Sequence, residues 1–204
     1  NDVFDLKEED TLVIHEWANS LHVVTKPETL ANEAAFFMQK CEVSEEDLQE
    51  LERHLRSKKY IRNASVTFVD DNKISVETWD NWSLMPTIDF SRKGGENKIA
   101  FGIKDRNLFG WGIDAELEYF KDDQRRGYKF DTQFPLFFNN NSEASVTIAD
   151  NSDGQAQAVF VTKPFVSFDT KTAYQIGVKN FDQVDTQYRQ GERFNLFRHE
   201  LSFV

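Results

Sequence analysis

Asp114, Glu116 and Glu118 occupy alternate positions of a segment with strand periodicity, which sets three carboxylates on one face. Successive same-face positions lie about 7 Å apart, near the separation of the carboxyl pairs that hydrolyse glycosidic bonds, and carboxylate oxygens also bind calcium. A glycosidase would further need aromatic sugar platforms and a carboxyl of raised pKa, and the sequence shows neither. A solvated strand face accounts for the three residues without more. The histidines His15, His22, His54 and His199 have no ligand spacing, and no serine sits in a Gly-x-Ser-x-Gly elbow. Gly94-Gly95 and Gly110-Trp-Gly112 are followed by neither a Lys-Ser/Thr pair nor a helix start, so they read as turn glycines rather than a phosphate loop. The single cysteine, Cys41, can form neither an internal disulfide nor a zinc site and is expected to be a small buried residue near a helix end. These residues predict no enzyme, no cofactor and no metal.

Bulk properties narrow the classes. A length of 204 residues, 39% of them hydrophobic and 29% charged, suits one large or two small globular domains. A formal net charge of -11 argues against a nucleic-acid partner, whose phosphates call for Lys and Arg. The longest apolar run is Ala34-Ala-Phe-Phe-Met38, against the roughly 20 residues a spanning helix needs. Transmembrane strands need only about 9–11 residues with one apolar face, so a membrane stays open. The first residues, Asn1-Asp-Val-Phe-Asp-Leu, lack the pattern of a secretory signal, which leaves a cytosolic chain, an already processed one, or a segment of something longer. The 19 Phe residues suit strands whose outer face meets either a core or lipid.

The elements that position these residues change character along the chain. Thr11 to His15 has the β-branched content of a short strand. Thr25-Lys-Pro-Glu28 offers a Thr cap, an early Pro and an acidic residue, predicting a helix to about Gln39. Ser44-Glu-Glu-Asp47 opens a second helix to about Lys58, with Leu48, Leu51 and Leu55 on one face. Ile61–Val69 and Lys73–Thr78, separated by Asp70-Asp71-Asn72, read as a hairpin. Residues 1–83 are thus expected to form an α+β domain of order strand, helix, helix, strand, strand. The stretch Asp89–Gly112 is the expected seam, after which nearly every segment has period two.

In 84–204, Ile99, Phe101 and Ile103 alternate with Ala100, Gly102 and Lys104. Ile113, Ala115, Leu117 and Tyr119 alternate with the three carboxylates, and Tyr128, Phe130, Thr132, Phe134 and Leu136 with Lys129, Asp131 and Gln133. Ala144, Val146 and Ile148 continue the pattern, then Val159–Val161, Thr172–Val178 and Arg193–Val204 less cleanly. Turn sequences at 121–126, 139–142 and 150–154 separate them, giving about eight antiparallel strands with a wet and a dry face. Period two alone leaves a barrel in lipid and a soluble sandwich equally open. Trp79, Trp82 and Trp111 gather around the seam, either at a membrane–water boundary or as cement between the halves.

Leu55-Arg-Ser-Lys-Lys-Tyr-Ile-Arg-Asn-Ala-Ser-Val66, the hairpin ending in Val76-Glu-Thr-Trp-Asp-Asn-Trp-Ser-Leu-Met-Pro86, Gly94-Gly-Glu-Asn97 and Asp105-Arg-Asn-Leu-Phe-Gly-Trp-Gly112 together carry a resemblance. They are similar to a POTRA domain and the start of the β-barrel in bacterial outer-membrane assembly and secretion proteins of the BamA/TamA-like surface-antigen type, strongest over 44–120. Lys59-Tyr60-Ile61 stands where that family often has Gly or Pro-Phe. The resemblance implies an outer-membrane protein with a periplasmic amino-terminal domain, whose partners are client polypeptides or other assembly proteins. It implies client capture by β-augmentation along the hairpin, with Val66, Phe68, Ile74 and Val76 as the candidate edge. The alternatives are a soluble periplasmic or surface interaction module with a sandwich-like second half, and a carbohydrate-active β-domain.

Overall fold

Ser44 starts the best-defined helix of the chain because its side chain and that of Asp47 satisfy each other's orphan amides. The Asp47 amide donates to Ser44 Oγ at 3.3 Å and the Ser44 amide to Asp47 Oδ2 at 2.9 Å. This is a computed structural model that describes residues 23–39, 42–70, 73–93, 96–139, 141–167, 169–189 and 192–202. The expected strand at 11–15, His15, His22 and Cys41 lie outside them.

Helix α1 spans Pro27–Ala34 and is followed by a 3-10 turn at Phe37–Gln39; helix α2 spans Glu45–Ser57. Strands β1 (Ile61–Asp70) and β2 (Lys73–Asp80) form an antiparallel hairpin in which Val66 faces Val76 and Phe68 faces Ile74. Leu48, Leu51 and Leu55 of α2 pack with Phe37, Tyr60, Ile61, Ala64 and Val66 into one core, with Ile74 and Val76 against it. Burial of that apolar face, more than intrinsic propensity, holds a 13-residue helix in place.

Eight further strands form one antiparallel sheet in strict sequence order: β3 (Leu84–Lys93), β4 (Glu96–Leu108), β5 (Ile113–Lys121), β6 (Arg126–Pro135), β7 (Glu143–Asn151), β8 (Gly154–Lys163), β9 (Tyr174–Arg189) and β10 (Glu192–Ser202). Strands β3 and β10 are its edges. The expected meander is present. The strand-only part begins with β3 at Leu84, and most of the Asp89–Gly112 stretch is the β3–β4 hairpin itself.

Two helix expectations need correction. Lys26 is the residue before the first helical turn, with no side-chain cap. Thr25 is buried and its amide donates instead to Asp80 Oδ2 at 3.2 Å, a tertiary bond that outcompetes the local one. Helix α1 also stops at Ala34 rather than Gln39, because the aromatic pair Phe36 and Phe37 turns into the core through the 3-10 segment.

Candidate membrane-facing and client-binding surfaces

Strand register sorts the side chains of the sheet into rows. One row runs Pro86, Ile103, Leu117, Phe130, Ile148 across β3 to β7. The next runs Ile88, Phe101, Tyr119, Tyr128, with ring centroids 5.1 Å apart from Phe101 to Tyr119 and again from Tyr119 to Tyr128. Val146, Val159 and Val178 extend the face across β7 to β9, as do Ala144, Val161 and Ile176. This face is open to its surroundings: Ile88 is 83% exposed, Phe90 70% and Phe101 54%. Among the described residues, the only buried hydrophobic side chains of the sheet are Ala100, Ala144 and Ala149. Among the described residues no second layer covers the large ones.

The opposite face is polar and internally paired. Lys104 Nζ lies 2.9 Å from Glu116 and 3.1 Å from Asp114, so two of the three carboxylates suspected of chemistry share one ammonium. The row continues to Asp131, which takes a hydrogen bond from Thr147 Oγ1 at 2.7 Å and an ion pair from Lys129 at 2.7 Å. Glu118 lines a separate cavity of about 550 Å³ with Lys98, Arg125 and Lys129. Around the adjoining turns Arg125 ties together Asp153 at 3.4 Å and Asp185 at 2.6 Å. The structure brings Asp114 and Glu116 together on a lysine and separates Glu118 from them.

Because the strands alternate in direction, the turns β4–β5, β6–β7 and β8–β9 all lie at one end, beside the helical unit. That end carries exposed aromatics: Phe109, Phe137, Phe138 and Phe165. The Phe101–Tyr119–Tyr128 ladder lies toward the other. From Tyr128 to the end of β6 at Pro135 is roughly 23 Å of extended chain at about 3.3 Å per residue, and the turn that follows carries Phe137 and Phe138.

The β4–β5 turn is also the joint to the helical unit. Asn107, 1% exposed, donates from Nδ2 to Thr25 Oγ1 at 2.8 Å, and its Oδ1 accepts the Gly112 amide at 2.7 Å. Thr25 Oγ1 donates in turn to Asp80 at the end of β2. The Gly110 carbonyl accepts from the Lys26 amide at 2.9 Å and from Thr29 Oγ1 at 3.0 Å. Gly112 has φ +66°, and a Cβ there would meet Thr29 and the Tyr60 ring at 3.0–3.3 Å, so both conformation and close approach call for glycine. Trp111 packs edge-on to Phe137 at 5.4 Å, with Lys26 Nζ 4.1 Å from its ring centroid. Of the three tryptophans around the seam, Trp111 thus touches both parts, whereas Trp79 lies in β2 opposite Asn63 and Trp82 in the 81–83 link, each half-buried.

A second contact centres on Glu33 of α1, which sequence reasoning passed over because no local pattern marks it. Its carboxylate meets His54 Nε2 and Lys58 Nζ, each at 2.7 Å, and accepts from the Tyr60 hydroxyl at 3.3 Å. Its backbone carbonyl accepts from Asn141 Nδ2 in the β6–β7 turn at 3.3 Å. Burial opposes the charge on Glu33, yet the His54 hydrogen bond and the Lys58 ammonium outweigh it and hold the carboxyl below its ordinary range. Burial first, and then the neighbouring Glu33 carboxylate, push the Tyr60 hydroxyl well up. Ser167 Oγ of the β8–β9 turn adds a hydrogen bond to Glu50 at 2.9 Å. These contacts occupy the longer turns of the sheet.

Of the candidate edge residues, Val66 is buried in the helical core and Ile74 and Val76 pack against it; Phe68 is 41% exposed. Val66, Ile74 and Val76 therefore fix the hairpin to α2, and Phe68 alone of the four is exposed. The structure shows no cluster of His, Cys, Asp or Glu able to hold a metal ion among the described residues. None of the described helices is long and apolar enough to cross a membrane, which does not bear on crossing by strands. Compared with protein-family models and with curated proteins, the chain matches none.

Proposed function

We propose that the helical unit is a POTRA-type domain and the meander the first strands of an outer-membrane barrel, in a protein that assembles or translocates client polypeptides. The observation that carries this reading is the uncovered apolar face backed by a polar, ion-paired one. In water such a face would expose Ile88, Phe90, Phe101 and their neighbours at about 25 cal/mol per Å² of apolar surface, whereas in lipid it is at rest. The strands, 9 to 16 residues long, can span a bilayer. The joint through Asn107, Thr25 and Asp80 holds the helical unit at one end of the sheet, where a periplasmic domain would stand.

Client capture follows by β-augmentation: an extended segment pairs with a main-chain edge of the hairpin and is passed to the strands it adjoins. Limited proteolysis with circular dichroism, in buffer and in detergent micelles, tests the membrane part. The strands after Leu84 should be β-rich and protected only with detergent. Full protection in buffer alone would favour a soluble interaction module whose apolar faces bury one another. Proline at alternate edge positions of the hairpin should abolish client crosslinking, and undiminished crosslinking would refute the capture step.

A further inference from the structure

Glu52 and Arg56 stand one turn apart on the exposed side of α2 and both reach the outer edge of β1. The Val66 amide donates to Glu52 Oε2 at 3.1 Å, and Arg56 Nη2 donates to the Ala64 carbonyl at 3.0 Å. Arg56 Nε donates to Asn63 Oδ1 at 2.9 Å, and the two side chains pair with each other at 2.6 Å. Among the described residues β1 is hydrogen-bonded as a strand to β2 alone. The Ala64 carbonyl and Val66 amide, two residues apart on the side away from β2, are the acceptor and donor that a residue of an added strand would bond. The carboxylate of Glu52 thus stands where a partner's C=O would be, and the guanidinium of Arg56 where its N–H would be.

We propose that the Glu52–Arg56 pair is a removable cap on the client edge of β1, occupied by side chains when no client is present and vacated when an extended polypeptide takes over the same two main-chain groups. This rests on the capture reading above and assigns it to one edge. An unpaired edge invites pairing with any exposed strand, and charged side chains are a common means of suppressing it. Here the charges are bonded to the edge itself, which makes the suppression competitive. Beyond the cap, exposed Phe68 and Val69 offer an apolar start for the incoming segment. The partner that fits is an uncharged extended segment with alternating apolar residues, whose amides replace the cap and whose side chains meet Phe68 and Val69.

The test uses the 204-residue chain in micelles and a synthetic ten-residue peptide of alternating Val/Phe and Ser/Thr, followed by fluorescence anisotropy. The double variant E52A/R56A should bind the peptide about fivefold more tightly than the parent, the order expected when a charged hydrogen-bonding competitor is removed. Because that variant could lose structure, the parent is titrated as well from about 50 mM to about 500 mM salt, where screening of the pair should tighten binding of the uncharged peptide. Unchanged or weaker binding by the folded variant, or a flat salt response, would overturn the cap. A peptide N-methylated at alternate amides separates the two ideas: if it binds the parent as well as the unmodified peptide does, edge pairing itself fails. If it loses binding while the variant and salt leave affinity unchanged, the edge stands and the cap is wrong.

Discussion

Asn107 is a side chain whose role is set entirely by distant residues. It joins Thr25, and through it Asp80, to the Gly112 amide, so Asn107→Ala leaves a turn amide unsatisfied and takes from the buried Thr25 hydroxyl, which still donates to Asp80, the donor it accepts from. Stability of the helical unit's attachment should fall by about 1–3 kcal/mol, read as earlier thermal loss of protection in the 107–112 turn by hydrogen exchange. Gly112→Ala should cost a similar amount, from both its left-handed φ and the contact with Thr29 and Tyr60. Glu33 adds a pH dependence. Its folded pKa lies below the ordinary value of 4.5, so it contributes stability above that value, and this is lost as pH falls through the lowered folded pKa. Glu33→Gln should flatten acid denaturation of the helical unit below about pH 4.5, read from the midpoint of unfolding at acid against neutral pH. None of these residues announces itself locally. Ser44 and Asp47, three apart, could be read from the sequence as a capping box, whereas Thr25 looks like a cap and serves as a tertiary donor.

At the scale of elements, period-two alternation was the strongest signal in the chain, and the rows from Ile103 to Ile148 follow from it directly. Turn chemistry at 121–126, 139–142 and 150–154 placed the strand ends well. Alternation could not say what the dry face meets, because a sandwich and a barrel write the same pattern. Burial adds that the large apolar side chains of that face are exposed among the described residues. Alternation also could not place the joint: the sheet starts at Leu84, where the division between 1–83 and 84–204 put it, but the pattern does not mark the turns at Asn107–Gly112, Asn141 and Ser167 that return to the helical unit. The two faces should respond oppositely to charge. Leu117→Arg on the apolar face should lower stability in lipid by about 2–4 kcal/mol, while Thr147→Arg on the polar face should be tolerated, as measured by urea unfolding from vesicles.

Among the described residues, the molecule combines a small cored unit with a sheet whose buried hydrophobic side chains are three alanines. The nine apolar residues of the buried cluster all belong to the helical unit and its hairpin. The sheet is held by its ladders and by ion pairs on one face, and its other face is apolar and exposed among the described residues. That division is what the proposed membrane reading rests on, in a chain with a net charge of -11 and no spanning helix among the described residues. It also sets the order of events proposed for a client, from the β1 edge, past the Asn107 joint, to the strands. The most direct measurement is face-selective quenching in brominated-detergent micelles, using a fluorophore on single cysteines introduced in a Cys41→Ser chain. Labels at Phe101, Leu117 and Ile148 should be quenched and labels at Glu116 and Thr147 should not. Equal quenching on both faces, or none on either while the strands remain formed, would contradict the account.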